Sequence, residues 1–207
     1  MGPVALAVEF LILFVMPPAL IVSGILPKVA IIPVLWAVFG YSCVMLRRHK
    51  MPLLTTHIDR RLFAVMFWRF VILLLLLGLF TWQCYPELFL ALFHDKPLLW
   101  LAIMLLYPLL SVIPQEILFR RFFFYRYEPF LQSKTVLLLA NAALFSYVHI
   151  SFGNVLAVAL TFVGGWLFAA TYDRSRSVLL VSIEHALYGN ALYTLGLGVF
   201  FYHNGTM

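Results

Sequence analysis

Charge is scarce in this chain. Of 207 residues only 8 are acidic and 14 basic; 64% are apolar, 11% are charged, and the mean hydropathy is +1.01. A soluble domain carries about a quarter charged residues and about half apolar ones. The composition excludes that class and identifies an integral membrane protein. Cysteine is nearly absent: Cys43 and Cys84 lie at or near the ends of different hydrophobic runs, with no C-x-x-C, which argues against a disulfide or a thiolate metal site. There is no His-Glu-x-x-His and no nucleophile elbow, so neither a zincin helix nor a covalent serine route is written in the sequence. The net charge of +6 is not a nucleic-acid footprint, because the basic residues fall in short loops, where they set orientation and meet anionic headgroups.

What is there is a succession of long apolar runs. At about 20 residues per span, the length accommodates about seven transmembrane helices in one all-α polytopic bundle, residues 1–207, with no room for a separate soluble domain. The expected spans are Val4–Leu26, Val29–Leu46, Leu62–Tyr85, a run from Leu98 to Arg126, Thr135–Ile150, Val155–Tyr172 and Val178–Tyr202. The first run lacks a basic leader and reads as a retained span. Pro17-Pro18 should kink or divide it. Glu9 within it reads as a headgroup-level or helix-packed carboxylate, and Arg69 in span three as a snorkelling base. Residues 51–61 read as a solvated loop or interfacial turn. Thr161, Gly164 and Gly165 are small enough to admit a neighbouring helix. Arg47, Arg48, Lys50, Arg60, Arg61, Arg120, Arg121, Arg126, Lys134, Arg174 and Arg176 fall on one side of this topology, with Lys28 and Lys96 on the other. The bias predicts a cytoplasmic N-terminus. The compact chain without tails fits a multi-pass protein of a bacterial inner membrane.

The stretch that departs from this pattern is Pro114-Gln115-Glu116-Ile117-Leu118-Phe119-Arg120-Arg121. Ionisable groups at membrane depth are costly and face a protein interior or a wet cavity. Glu116 and Arg120 are one helical turn apart on one face. Pro108 and Pro114 free backbone carbonyls just ahead of them. His149 and His185 also sit against apolar runs. One carboxylate, two imidazoles and an amide suffice to activate a water and stabilise a tetrahedral intermediate. One feature fits poorly: Glu116 and His185 fall near the cytoplasmic ends of their spans and His149 near the far end of its own. A shared site therefore requires a short or tilted span five or a deeper span four.

Gln115-Glu116-Ile117-Leu118-Phe119-Arg120, then Phe145-Ser146-Tyr147-Val148-His149, then His185-Ala186-Leu187-Tyr188-Gly189-Asn190 resembles the three-motif signature of the CAAX-protease and bacteriocin-processing family of intramembrane proteases. The resemblance covers residues 98–200, and residues 1–97 read as accessory spans. It implies a helical membrane bundle that cleaves a membrane-associated peptide or protein with Glu- and His-activated water and no resident cofactor. By position it implies that Glu116, His149 and His185 are catalytic, with Gln115, Arg120 and Asn190 in positioning or oxyanion roles. Two positions depart from the family pattern. Gln115 stands at the first glutamate, and a carboxamide orients water but cannot take its proton, which leaves Glu116 to act as base. Gly189 stands four residues after His185, and Asn190, one further on, is about 140° off that face of a regular helix unless a bulge intervenes. Arg121 replaces a small residue and would line the entrance or snorkel.

Three other readings use the same residues. In one, Glu116, His149 and His185 bind zinc with an open water position. In another, the chain binds peptides without cleaving them, as in immunity. In the last, the acid and histidines relay protons in a small transporter, against which the absence of an inverted repeat counts.

Overall fold

The structure, a computed structural model, describes residues 2–131 and 133–201. Among these residues all regular secondary structure is helical, with no strand. Six helices are long and apolar enough to cross a bilayer: α1 (Pro3–Val22), α2 (Lys28–Arg48), α3 (Arg60–Cys84), α4 (Pro97–Phe130), α5 (Lys134–Phe152) and α6 (Val155–Ser175). The expected seventh span forms a helix, α7 (Val178–Leu195), but it is not among these six. Glu184, His185 and Asn190 break its apolar run, and it ends at Gly196 rather than at Tyr202, which lies outside the described residues. Gly196 has φ +97°, and a Cβ there would run into the Leu88 carbonyl, so only glycine makes this turn.

Each helix ends for a local reason. Asp59 caps α3, accepting from the Arg61 and Leu62 amides at 2.7 and 3.0 Å. Asn154 accepts from the Ala157 amide to start α6, and Ser177 accepts from Leu180 to start α7. Gly153 turns left-handed between α5 and α6. In α1, a π turn over Leu11–Val15 absorbs the disruption of Pro17-Pro18, and the helix continues through the pair.

In a bilayer, lipid is as apolar as leucine, so apolar contact alone does not hold helices together; close packing and polar clasps do. The packed interior is aromatic: Phe14, Phe119, Phe122, Phe123, Phe124, Phe145 and Tyr172 are fully buried. Leu75, Leu76, Leu79 and Trp82 of α3 face outward, as do Leu98 and Leu105 of α4. Gly165 brings α6 onto α5, where a Cβ would press on Phe145 and Ala142, in line with the small-residue expectation.

The clasps correct two expectations. Arg69 does not snorkel: its Nη2 pairs with Glu184 of α7 and donates to Thr171 of α6 at 2.9 Å, so it ties α3 to both. A buried carboxylate outcompetes the headgroups for its guanidinium. Arg121 neither lines an entrance nor snorkels. It donates to the Pro52 carbonyl at 2.8 Å and to the Tyr172 hydroxyl at 3.4 Å. The 51–59 segment is a largely exposed loop, as expected, and it is tethered: the Thr55 carbonyl accepts from the Leu179 amide and the Ser177 hydroxyl at the start of α7. Glu9 is helix-packed, as expected. It accepts from Arg126 through both oxygens, at 2.7 and 3.0 Å, and from Tyr41 and Tyr127 at 2.6 and 3.0 Å.

Candidate active site

Helix α4 carries the site, and its length resolves the depth mismatch. At 34 residues it greatly exceeds the about 20 that a bilayer needs, so Glu116 lies well inside it. Its backbone is deliberately irregular. Pro108 offers no N–H to the Met104 carbonyl, and the Asn190 amide takes that oxygen at 3.3 Å. Pro114 likewise leaves the Leu110 carbonyl, which accepts the Trp36 indole N–H at 3.0 Å. Over Ile117–Phe122 the helix widens into a π turn, and the Phe123 amide reaches the Leu118 carbonyl. The bypassed Phe119 carbonyl accepts from Asn141 of α5 at 2.6 Å. Irregular backbone at membrane depth persists where protein supplies its partners, and π turns are frequent at functional sites.

Glu116 is fully buried. Its Oε1 lies 2.7 Å from His185 Nδ1, and its Oε2 lies 3.3 Å from Arg120 Nε. A carboxylate accepts, so Nδ1 of His185 carries the proton and donates to Glu116. The other nitrogen, Nε2, meets the Tyr107 hydroxyl at 3.0 Å, which then donates to it. Phe168 stacks on the His185 ring at 4.6 Å and 20° and fixes its plane. Arg120, also fully buried, donates to the Gly165 carbonyl at 3.3 Å and lies over the Phe145 ring at 4.8 Å.

His149 is held differently. Helix α5 tightens into a 3₁₀ turn at His149–Phe152, whose amides turn to the Ser146 and Tyr147 carbonyls. The Phe145 carbonyl is left over, and His149 Nδ1 donates to it at 2.7 Å. In the neutral ring this leaves the lone pair on Nε2.

A cavity of about 880 Å³ joins these groups, walled mostly by apolar residues of α1, α2, α4, α6 and α7. Its polar lining includes Tyr107, Ser111, Gln115, His149, Thr161 and His185. Gln115 donates through Nε2 to Ser111 at 2.6 Å, while its Oε1 is buried without a hydrogen-bond partner. The structure therefore brings Gln115, His149 and His185 to one cavity, with Glu116 and Arg120 behind His185 rather than on the wall. Asn190 does not reach the group. Helix α7 stays regular through Gly189, and the Asn190 amide turns to α4. The zinc alternative requires Glu116, His149 and His185 to converge. Among the described residues no group of three His, Cys, Asp or Glu side chains is arranged to hold a metal, and both nitrogens of His185 are already engaged.

Tyr107 and Phe168 escaped the reading of the sequence. A signal for the first exists: Tyr107, Ser111 and Gln115 recur every fourth residue and so share one face of α4. For Phe168, one aromatic among 20 phenylalanines, there is none.

The fold and the site together define a polytopic helical membrane protein with a buried acid–imidazole pair opening on an apolar cavity, an arrangement suited to hydrolysis beside or within the bilayer. Residues 97–201, from the first residue of α4 to the last described residue, match the family model Rce1-like, type II CAAX prenyl endopeptidase, and the chain belongs to that family. No curated protein and no solved structure matches the chain.

Proposed function

We propose that this protein is a metal-free intramembrane endopeptidase that hydrolyses a peptide bond of a membrane-associated peptide or protein. The observation that carries the reading is the meeting of Gln115, His149 and His185 on one largely apolar cavity within a chain of the CAAX-protease family. The apolar walls suit a substrate with an apolar or lipid-modified segment. Glu116 is sealed from the cavity, so direct proton abstraction from water falls to His149, whose Nε2 holds the free lone pair. The Gln115 Oε1 accepts the water's second hydrogen and orients it. The water oxygen attacks the peptide carbonyl, and its proton passes to His149 Nε2. His185, held by Glu116 through its Nδ1–H, keeps the Tyr107 hydroxyl at the cavity beside the reacting carbonyl. His149 then returns the proton to the leaving amine, and the C–N bond breaks. Arg120, with Nε 3.3 Å from Oε2, holds Glu116 in place. The N-terminus lies on the cytoplasmic side, a reading supported by the basic residues clustered at one end of the bundle, where Arg176 pairs with Glu128 and Lys134 with Asp173.

The test is cleavage of a membrane-peptide library by purified protein in detergent, with and without chelator. The expected result is chelator-resistant cleavage that is lost in His149→Ala and raised in Gln115→Glu, which supplies a carboxylate at the cavity wall. Cleavage by His149→Ala and His185→Ala at the wild-type rate overturns the assignment, and chelator-sensitive cleavage moves it to a metal. The carboxamide of Gln115, where the family pattern has a glutamate, favours a second reading: peptide binding without turnover. Retained binding of library peptides with no cleavage, restored by Gln115→Glu, identifies that case.

A further inference from the structure

Gly189 stands four residues after His185, one turn along the same face of a regular α7. A side chain at this position would lie on the same face as His185. Glycine carries none, and the space is filled: a Cβ at Gly189 would overlap Cε1, Cζ and the hydroxyl oxygen of Tyr107. The ring of Tyr107 crosses from α4 into the gap, steadied edge-on by Tyr193 at 5.5 Å. Its hydroxyl then stands 3.0 Å from His185 Nε2. Tyr107 and His185 both line the cavity. The neighbouring amide, Asn190, is committed to the Met104 carbonyl.

We infer that Tyr107 is a member of the reaction site: its hydroxyl, admitted by Gly189, supplies from α4 the hydrogen-bond donor that the bare face of α7 beside His185 lacks. This rests on the hydrolase reading above. In the free protein the hydroxyl donates to His185 Nε2 and holds the ring with its proton on the Glu116 side. When a peptide carbonyl occupies the cavity, the same O–H swings from Nε2 to the developing oxyanion. No bond to Tyr107 forms or breaks, and its proton stays on oxygen. A hydroxyl suits this task because it can turn from an acceptor nitrogen to an oxyanion, whereas a core aromatic at this position needs no polar atom. The pairing also accounts for why a glycine sits in the middle of α7, where it lowers helix propensity.

Two measurements test it. The first is independent of activity: nitrogen-15 NMR of histidine-labelled protein in micelles, reading the His185 Nε2 resonance. Tyr107→Phe removes the donor and keeps the ring, so this resonance should move towards that of an unbonded imine nitrogen while the other histidine signals hold. The second is kinetic. Tyr107→Phe should lower kcat about 100-fold, the scale of one lost oxyanion donor, with KM little changed. Tyr107→Ala should lose as much, and Tyr107→Ala with Gly189→Asn, which returns a donor to α7 in the vacated space, should recover at least about tenfold. Gly189→Ser in the same background is the smaller rescue variant. A wild-type kcat in Tyr107→Phe overturns the proposal while leaving the hydrolase reading in place. A Tyr107→Ala loss that neither residue at 189 rescues overturns the replacement of an α7 donor by Tyr107. A wild-type protein that cleaves no library peptide removes the hydrolase reading and the catalytic role together, and an unmoved His185 resonance removes the contact itself.

Discussion

Among the buried glutamates that face arginines, Glu9 and Glu116 are built for opposite ends. Glu9 ties α1 to α2 and α4. Each of its oxygens receives two donors, from Arg126 with Tyr127 and from Arg126 with Tyr41. Glu116 has a weaker arrangement: Oε2 and Arg120 Nε stand 3.3 Å apart without hydrogen-bond geometry, and Arg120 Nη1 and Gln115 Oε1 have no hydrogen-bond partner. A carboxylate saturated with donors is a rivet, because nothing remains for a ligand. A carboxylate that spends one oxygen on an imidazole, beside unsatisfied polar atoms and a cavity, is poised to influence whatever enters. Saturation of the hydrogen bonds, rather than burial or the presence of an arginine, separates the two.

The sharpest way to break the comparison is to neutralise each acid in turn. Glu116→Gln should reduce cleavage by about 10²- to 10⁴-fold, up to the scale of losing a carboxylate that orients an active-site imidazole, with the fold retained by far-ultraviolet circular dichroism. Wild-type cleavage by this variant would show that His185 needs no carboxylate. Glu9→Gln should do the reverse. It leaves Arg126 without its counter-charge and should lower unfolding stability in detergent by about 3–5 kcal/mol, the scale of a broken buried pair, with activity per folded molecule unchanged. An unaltered unfolding midpoint would contradict the rivet.

A third buried acid sharpens the contrast. Glu184 adjoins His185 in sequence, yet it faces Arg69 and Thr171 on the other side of α7. Arg69→Leu should destabilise the bundle by a few kcal/mol, since Glu184 is left buried and uncompensated. Adding Glu184→Gln should restore most of that loss, as the coupling of a double-mutant cycle. Additive losses would mean that the two residues act separately. The smallest effect is expected outside the membrane. The Leu62 and Arg61 amides hold the Asp59 carboxyl below the usual carboxylate range. Its folded-state pKa is depressed, so the stability it contributes is present above the unfolded value and is lost as pH falls through the folded one. Asp59→Ala should therefore lower the melting temperature slightly at neutral pH, and the difference from wild type should vanish in strong acid. A difference independent of pH would exclude the charged cap.

The readable parts of the fold were those decided by local composition. The first six spans, the irregularity at Pro108 and Pro114, the small-residue face of α6 and the helix-packed Glu9 all follow from runs and spacings. The site was legible as a set of residue types in order, because polar groups stand out against an apolar background. Partnership was not legible. Arg69 could have met headgroups or an acid, and only the rotation of α7, which turns Glu184 outward from His185, selects the acid. Asn190 could have reached the site through a bulge at Gly189, but the regular helix and the orphaned Met104 carbonyl draw it elsewhere.

The sequence by itself determined that this is a helical membrane protein, that its polar chemistry is concentrated between Gln115 and Asn190, and that a carboxamide, Gln115, directly precedes Glu116. Those properties are sums over neighbouring residues or identities at fixed positions. The tertiary structure alone decided that Glu116 stands behind His185, that His149 lines the cavity with its Nδ1 committed to the Phe145 carbonyl, and that Tyr107 occupies the space of the missing side chain at 189. These facts depend on the depth, rotation and close approach of helices distant in the chain. They are set by packing and by the demand that every carbonyl freed in α4 find a donor.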